Sequence, residues 1–342
     1  MRFARSARSL IILAVQSRIV VVGDLNGAQD VLEDIVVGTR LAAVARGRWR
    51  WTGGRAVLVQ IGDVWNRGAG ARTAFARLLA LGPEARRAGG DVVVLLGNHE
   101  VMTALRNEAY CTEAEYLSFA TAREREVWPA RVARALRTLY RDHPQRGPIA
   151  PLAPRLEAWK TRNVPGRAAL RRAFGARGAV GRDVRRLPIA LRLGDTVFAH
   201  AGLTPGWAQR GVDGLNHEAA RAWRRAPSFY EELPRSGILR DTEGPLWNRT
   251  LATARGLRAE RALVRSLALL AARRMVVGHT VSDHVPGGER GRIATRFGGR
   301  LVCVDVGLAG GGATPRVALV IEGPCGHEWT PRGTRLLWRD RG

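Results

Sequence analysis

The chain has 342 residues, 46% of them hydrophobic, a length and apolar share that suit one large domain or two ordinary ones and exclude disorder across the chain. Against 30 Asp and Glu it carries 55 Lys and Arg, a formal charge of +25 that ordinarily points to nucleic acid or a membrane surface. Lys160 is the only lysine, however, and the arginines are scattered among Ala and Gly, which reads as the coding bias of a GC-rich genome; no nucleic-acid partner is expected.

Residues Met1 to Gln16 hold basic residues and then the apolar run Leu10–Val15. That run is short and Arg18 follows closely, so an extra strand or turn is expected there rather than a signal peptide. No stretch is long and uncharged enough to span a bilayer. Three cysteines, Cys111, Cys303 and Cys325, leave one unpaired whatever the connectivity and include no CxxC pair, so a reducing, cytoplasmic setting is expected.

Apolar or β-branched runs bounded by Gly, Asp or Arg predict strands at Ile19–Gly23, Ala56–Ile61, Asp91–Leu96, Ile189–Leu193, Thr196–Ala199, Met275–Val277, Arg292–Phe297, Leu301–Val306 and Val317–Ile321. Helices are predicted at Gln29–Val37 and Ala71–Leu81. The first two motifs each lie between a strand and one of these helices, an alternation that argues for an α/β core. From 101 to 186 the composition turns Arg- and Ala-rich with Pro144, Pro148, Pro151, Pro154 and Pro165, and a helical insertion capping one side of the site is expected. A smaller helical region is expected from Asn216 to Leu270, and a Gly-rich turn at Ala309–Ala313.

Five strand ends carry metal- or phosphate-binding residue types: Gly23-Asp24-Leu25-Asn26-Gly27, Gly62-Asp63-Val64-Trp65-Asn66-Arg67-Gly68, Gly97-Asn98-His99-Glu100, Ala199-His200-Ala201-Gly202 and Gly278-His279-Thr280. A Gly before each Asp lets the chain turn tightly and leaves the carboxylate facing a cleft. Taken singly, such an Asp is more often a helix cap, and a strand-end His more often a satisfied structural residue. Five together, with small neighbours around both His200 and His279, point to two like-charged cations held by rigid elements. The remaining His143, His217, His284 and His327 lack that setting and are expected on the surface or in loops.

In order and spelling these segments resemble the calcineurin-like metallophosphoesterases. Within them they resemble the phosphoprotein phosphatases, and most of all the Shewanella-like protein phosphatases, through Gly194–Leu203, Gly244–Arg249 and Val304–Leu308 as well. The resemblance runs from about Ile19 to Leu308 and implies one metallophosphoesterase domain over 1–342, a four-layer αββα sandwich with the helical insertion within it. It also implies two divalent ions, Mn first with Fe or Zn as alternatives, on Asp24, Asn26, Asp63, Asn98, His200 and His279, with Asp63 bridging. Asn26 stands where the family has His, so the ion it touches is expected to be the weaker one. Arg67 and Arg249 are the implied phosphate clamps, and Asp305 a supporting hydrogen-bonding group.

His99 is the implied general acid and Asn66 its partner, replacing a family Asp that aims the imidazole and favours its charge. The implied reaction is phosphomonoester hydrolysis by a hydroxide activated between two metals, on a phosphorylated protein. A diadenosine polyphosphate or similar small phosphoester is the alternative substrate. Because Asn26 and Asn66 weaken the machinery without disturbing a fold, a degenerate phosphatase that binds phosphorylated partners is the third reading.

Overall fold

Four successive apolar β-formers, Ile19-Val20-Val21-Val22, are wholly buried and form β1 (Ile19–Val22) at the centre of a sheet. In the computed structural model, which describes residues 18–141, 153–308 and 314–340, two parallel neighbours, β4 (Val57–Gln60) and β5 (Asp91–Val94), extend that sheet on one side. On the other side β11 (Ala318–Glu322), β12 (Cys325–Thr330) and β13 (Gly333–Arg339) add antiparallel strands, giving the order β13-β12-β11-β1-β4-β5. The expected readings at Leu10–Val15, Pro144, Pro148, Pro151, His143 and Ala309–Ala313 fall outside the described residues.

The second sheet has the order β6-β7-β8-β10-β9, from β6 (Ala190–Leu193), β7 (Thr196–Ala199), β8 (Arg274–Val277), β9 (Ala294–Arg296) and β10 (Leu301–Cys303). Here β7, β8 and β10 run parallel. Each sheet therefore has a parallel core of three strands, and the segments leaving their carboxyl ends carry all five motifs. The sheets pack into one continuous core, with helices such as Gln29–Gly38, Ala71–Arg87 and Leu257–Leu269 adding buried faces to it. The result is the four-layer αββα sandwich.

Three features depart from the expected elements. A hairpin of β2 (Ala42–Ala45) and β3 (Arg48–Trp51) turns at Arg46-Gly47, both left-handed at φ 51 and 75. The β12–β13 hairpin was also not predicted. The helix expected to stop at Leu81 continues through Gly82 and Pro83 to Arg87, because Leu81, Gly82 and Ala85 face the core and tertiary burial outweighs the proline's missing donor. Between 101 and 186 the described residues form helices Glu113–Ser118, Ala122–Arg141, Ala153–Asn163, Arg167–Phe174 and Ala179–Val184.

A candidate metal centre where two parallel sheets meet

Ligand atoms of Asp63, His200 and His279 lie within 4.8 Å of one another, and all three side chains are buried. They come from β4, β7 and β8, so the group joins both sheets. His200 spans the junction: one ring nitrogen, Nδ1, lies 3.0 Å from the Ile61 carbonyl and the other, Nε2, 2.9 Å from Asn98 Oδ1. Asp63 Oδ1 is 3.5 Å from His200 Nε2 and accepts the His99 main-chain N–H at 3.0 Å, while its Oδ2 faces His99 Nε2 at 3.6 Å. Asp24 accepts the His279 N–H on both oxygens at 3.2 Å.

Two glycines show why the motifs are spelled as they are. A Cβ at Gly97 would stand 2.2 Å from Asp63 Oδ1, and one at Gly278 would stand 2.3 Å from Asp24 Oδ1. No other residue lets the carboxylates approach the neighbouring strand end so closely.

The donor set fits divalent cations. Asn26 Oδ1 and His279 Nε2 are buried without a hydrogen-bond partner among the described residues, a costly state for polar atoms unless an ion or water meets them. Burial, then Asp305 and Asp63, push the Asp24 carboxyl well above its usual range, because carboxylates crowd together there out of reach of water. Burial acts on Asp63 as well, yet the facing His200 and His99 imidazoles hold it below the usual range. His279 is driven well below the ordinary imidazole range by burial, His200 and Arg249, which keeps it neutral as a ligand must be.

Arg67 is exposed, has no carboxylate within ion-pair distance among the described residues, and lies 5.1 Å over the Tyr110 ring. Its charge, after burial, helps hold His99 below its usual range. Arg249 differs: its Nη1 donates to the His279 carbonyl at 2.7 Å, so part of its guanidinium braces the ligand turn. Asp305 is buried and caps its own turn through the Gly307 N–H at 3.0 Å. His217 and His284 are exposed and His327 is half-buried on β12.

Asn66 is placed differently from the expectation that it partners the His99 ring. Its amide oxygen accepts the Thr103 hydroxyl at 3.2 Å, and its amide nitrogen faces both oxygens of Glu115, at 3.2 and 3.3 Å. His99 Nδ1 is left buried without a hydrogen-bond partner, and the ring is stacked on Tyr110 with centroids 4.6 Å apart. The reason is polarity: a buried carboxylate is an acceptor only, so it draws the amide's donor end.

Several residues of the site carry no role in the sequence reading. Glu100, fully buried, accepts main-chain N–H groups from Asp63, Val64, Trp65 and Gly97. Its spacing from Gly97 is half of a capping box, a signal available from the sequence. Tyr110, Glu115 and Trp247, whose ring meets His279 edge-on at 5.9 Å, have no comparable signal.

A model of the calcineurin-like phosphoesterase family matches residues 17–282, and the chain belongs to that family. It is similar to Shewanella-like protein phosphatase 2 of Arabidopsis thaliana, 27% identical over 310 residues covering 86% of this chain and 72% of that one. An uncharacterised Schizosaccharomyces pombe protein is 28% identical over 282 residues, 80% of this chain and 68% of its own. In fold the chain resembles a cold-active protein-tyrosine phosphatase of a psychrophilic Shewanella species, with TM-score 0.66 and 20% identity over 94% of this chain and 81% of that one. No described helix is long and apolar enough to cross a membrane.

Proposed function

We propose that the chain is a metal-dependent phosphomonoesterase acting on phosphorylated protein side chains, with an aryl ester, phosphotyrosine, as the preferred substrate. The observation that carries this reading is the buried Asp63, His200 and His279 group with the exposed Arg67 guanidinium, which has no carboxylate partner among the described residues and lies close enough to act on His99. Asp63, Asn98, His200 and His279 would hold one divalent ion, Mn foremost, and Asp24, Asn26 and Asp63 a second, weaker one. Bound there, the ions supply an activated water and offset charge on the phosphoryl oxygens. Arg67 meets two of those oxygens with its planar fork. His99 donates a proton to the departing oxygen. The helical segment from 101 to 186 would cap the site within a single domain, with Tyr110, in the turn before helix Glu113–Ser118, stacked on His99.

The preference for an aryl ester follows from His99. Burial first, then Arg67 and His200, lower its proton affinity, and Asn66 does not touch its ring. An imidazole that is seldom protonated near neutrality suits a phenolate, which departs with little help, better than an alkoxide. The test compares turnover of p-nitrophenyl phosphate, a phosphotyrosyl peptide and a phosphoseryl peptide with Mn added, for the wild type and His99→Asn. The aryl substrates are expected to lead by at least about 10-fold, with His99→Asn costing the seryl peptide most. Equal turnover of all three would overturn the aryl preference. No turnover with phosphopeptide binding retained would favour the degenerate binder.

A further inference from the structure

The reaction proposed above gives no task to Glu115, a carboxylate with 0% exposure in the helix Glu113–Ser118. Thr112 caps that helix by accepting the Glu115 N–H at 3.2 Å, which fixes the residue's place. Among the described residues no Arg or Lys pairs with it. Its partners include the Asn66 main-chain N–H at 3.0 Å and the Asn66 side-chain amide, which also reaches Cys111 Sγ at 3.2 Å, with the Thr112 main chain and the Cys111 side chain adding to its support.

The backbone at this point is strained. Asn66 and Arg67 are successive non-glycine residues in the left-handed region, at φ 71 and 62. Such a pair persists only when its surroundings over-determine it. Glu115 holds it from one side through two kinds of N–H, and the Tyr110 carbonyl holds it from the other by accepting the Arg67 N–H at 3.0 Å. The direction in which the Arg67 side chain leaves the backbone is set by these φ values.

We infer that Glu115 is a positioning residue for phosphate binding: by fixing the main chain and amide of Asn66 it aims the Arg67 guanidinium into the metal centre. The inference rests on the phosphomonoesterase reading for Arg67's role. It also accounts for the amide at position 66. An Asp there would set carboxylate oxygens where Nδ2 now stands, 3.2 and 3.3 Å from those of Glu115. In this chain the carboxylate comes from the helix at 115 and the amide from position 66.

The experiment measures the affinity of inorganic phosphate by calorimetry and p-nitrophenyl phosphate kinetics, both with Mn at pH 8. Burial raises Glu115 to about 7, so the wild-type carboxylate is ionised in this assay. Variants are Glu115→Gln, Glu115→Ala, Asn66→Asp and the double change Asn66→Asp with Glu115→Gln. Either Glu115 variant should weaken phosphate binding and raise KM about 10-fold, with kcat moving less than about 3-fold, since Arg67 binds ground and transition states alike. Asn66→Asp should lose as much, and the double variant should return to within about 3-fold of wild type because a carboxylate and an amide again face each other.

Should Glu115→Ala not fold, the near-isosteric Glu115→Gln and the double variant decide. Unchanged phosphate affinity in folded Glu115→Gln, or a double variant no better than Asn66→Asp alone, overturns the inference. Phosphate binding that depends on Glu115 without any turnover would sink the hydrolase reading and leave the positioning role standing. A wild type that binds no phosphate would remove both.

Discussion

Replacing Glu100 by Gln is expected to cost about 3 kcal/mol of folding stability and to weaken metal binding with it. The Glu100 carboxylate accepts Val64 and Trp65 N–H on Oε1 at 2.8 and 3.3 Å, and Asp63 and Gly97 N–H on Oε2 at 3.0 and 2.9 Å. Gln keeps one acceptor oxygen, so whichever way its amide turns, two of the four donors meet an NH2 group. A buried donor left unpaired costs about 1–3 kcal/mol, which puts the loss at about 2–6 before relaxation. Glu100→Ala would abandon all four donors and open a cavity, a loss comparable with the whole stability of many domains, so Gln is the informative change. Burial and the adjacent Asp63 push this carboxyl up to about 8, so urea unfolding is best followed at pH 9, where the acceptor is ionised. Asp63 sits at φ 54 and its N–H is among the four, so its carboxylate should also lose its aim. The stabilisation gained on adding Mn should therefore shrink. A Gln variant within about 1 kcal/mol of wild type, with the same Mn increment, would refute the reasoning.

Asn26→His should tighten the weaker Mn site by about 10-fold, because imidazole replaces a neutral amide oxygen; a Mn titration with unchanged metal dependence would show that Asn26 Oδ1 does not face the ion. Arg67→Ala should raise KM for p-nitrophenyl phosphate by about 10- to 100-fold, with Arg67→Lys between the two, since a point charge cannot replace a planar fork. An unaltered KM would exclude the clamp. Glu115 gives a pH signature in the metal-free protein. Its folded value, raised by burial from 4.5 to about 7, means the folded state binds more protons than the unfolded one between those limits. That contribution is fully present below 4.5 and is lost as pH rises through 7, at most about 3 kcal/mol over the window. Glu115→Gln should remove the slope, and parallel stability curves for the two proteins would rule the shift out.

Residues that end a buried strand were legible because two signals coincide there. Val20-Val21-Val22 before Gly23-Asp24, or Met275-Val276-Val277 before Gly278-His279, give an apolar run that must be central in a sheet and then a ligand type with no apolar use. The strands that escaped notice lack the first signal. In β3 the alternation Arg48-Trp49-Arg50-Trp51 puts Arg on the exposed face, and β13 is mostly exposed with Gly333 at its start, so neither reads as a core run. Within the site the illegible members are those fixed by packing across long separations. Glu115 meets Asn66 over 49 positions, and Tyr110 meets His99 only because the segment after the helix Asn98–Ala104 folds back over it. Asn66 itself was legible as a departure from the motif but not in its consequence, since the partner that selects its amide lies in the insertion.

The charge balance of the site links these points. Asp24, Asp63, Glu100 and Asp305 are all buried, and among the described residues none of them is paired with Lys or Arg. Asp24 and Asp305 are raised by burial and by neighbouring carboxylates, so the fold alone holds more negative charge than it can compensate. In most interiors such groups would be replaced or neutralised. Here four N–H donors secure Glu100, two carboxylate oxygens of Asp24 rest on one N–H, and Gly97 and Gly278 let backbone approach the carboxylates of Asp63 and Asp24, an arrangement whose charge bound cations would offset. An amide at 26 and an amide at 66 fit that balance differently. The first sets a neutral, weakly basic amide oxygen where the resembling family has an imidazole, and would weaken the ion held there. The second avoids adding a further carboxylate beside Glu115, and so preserves the loop that carries Arg67.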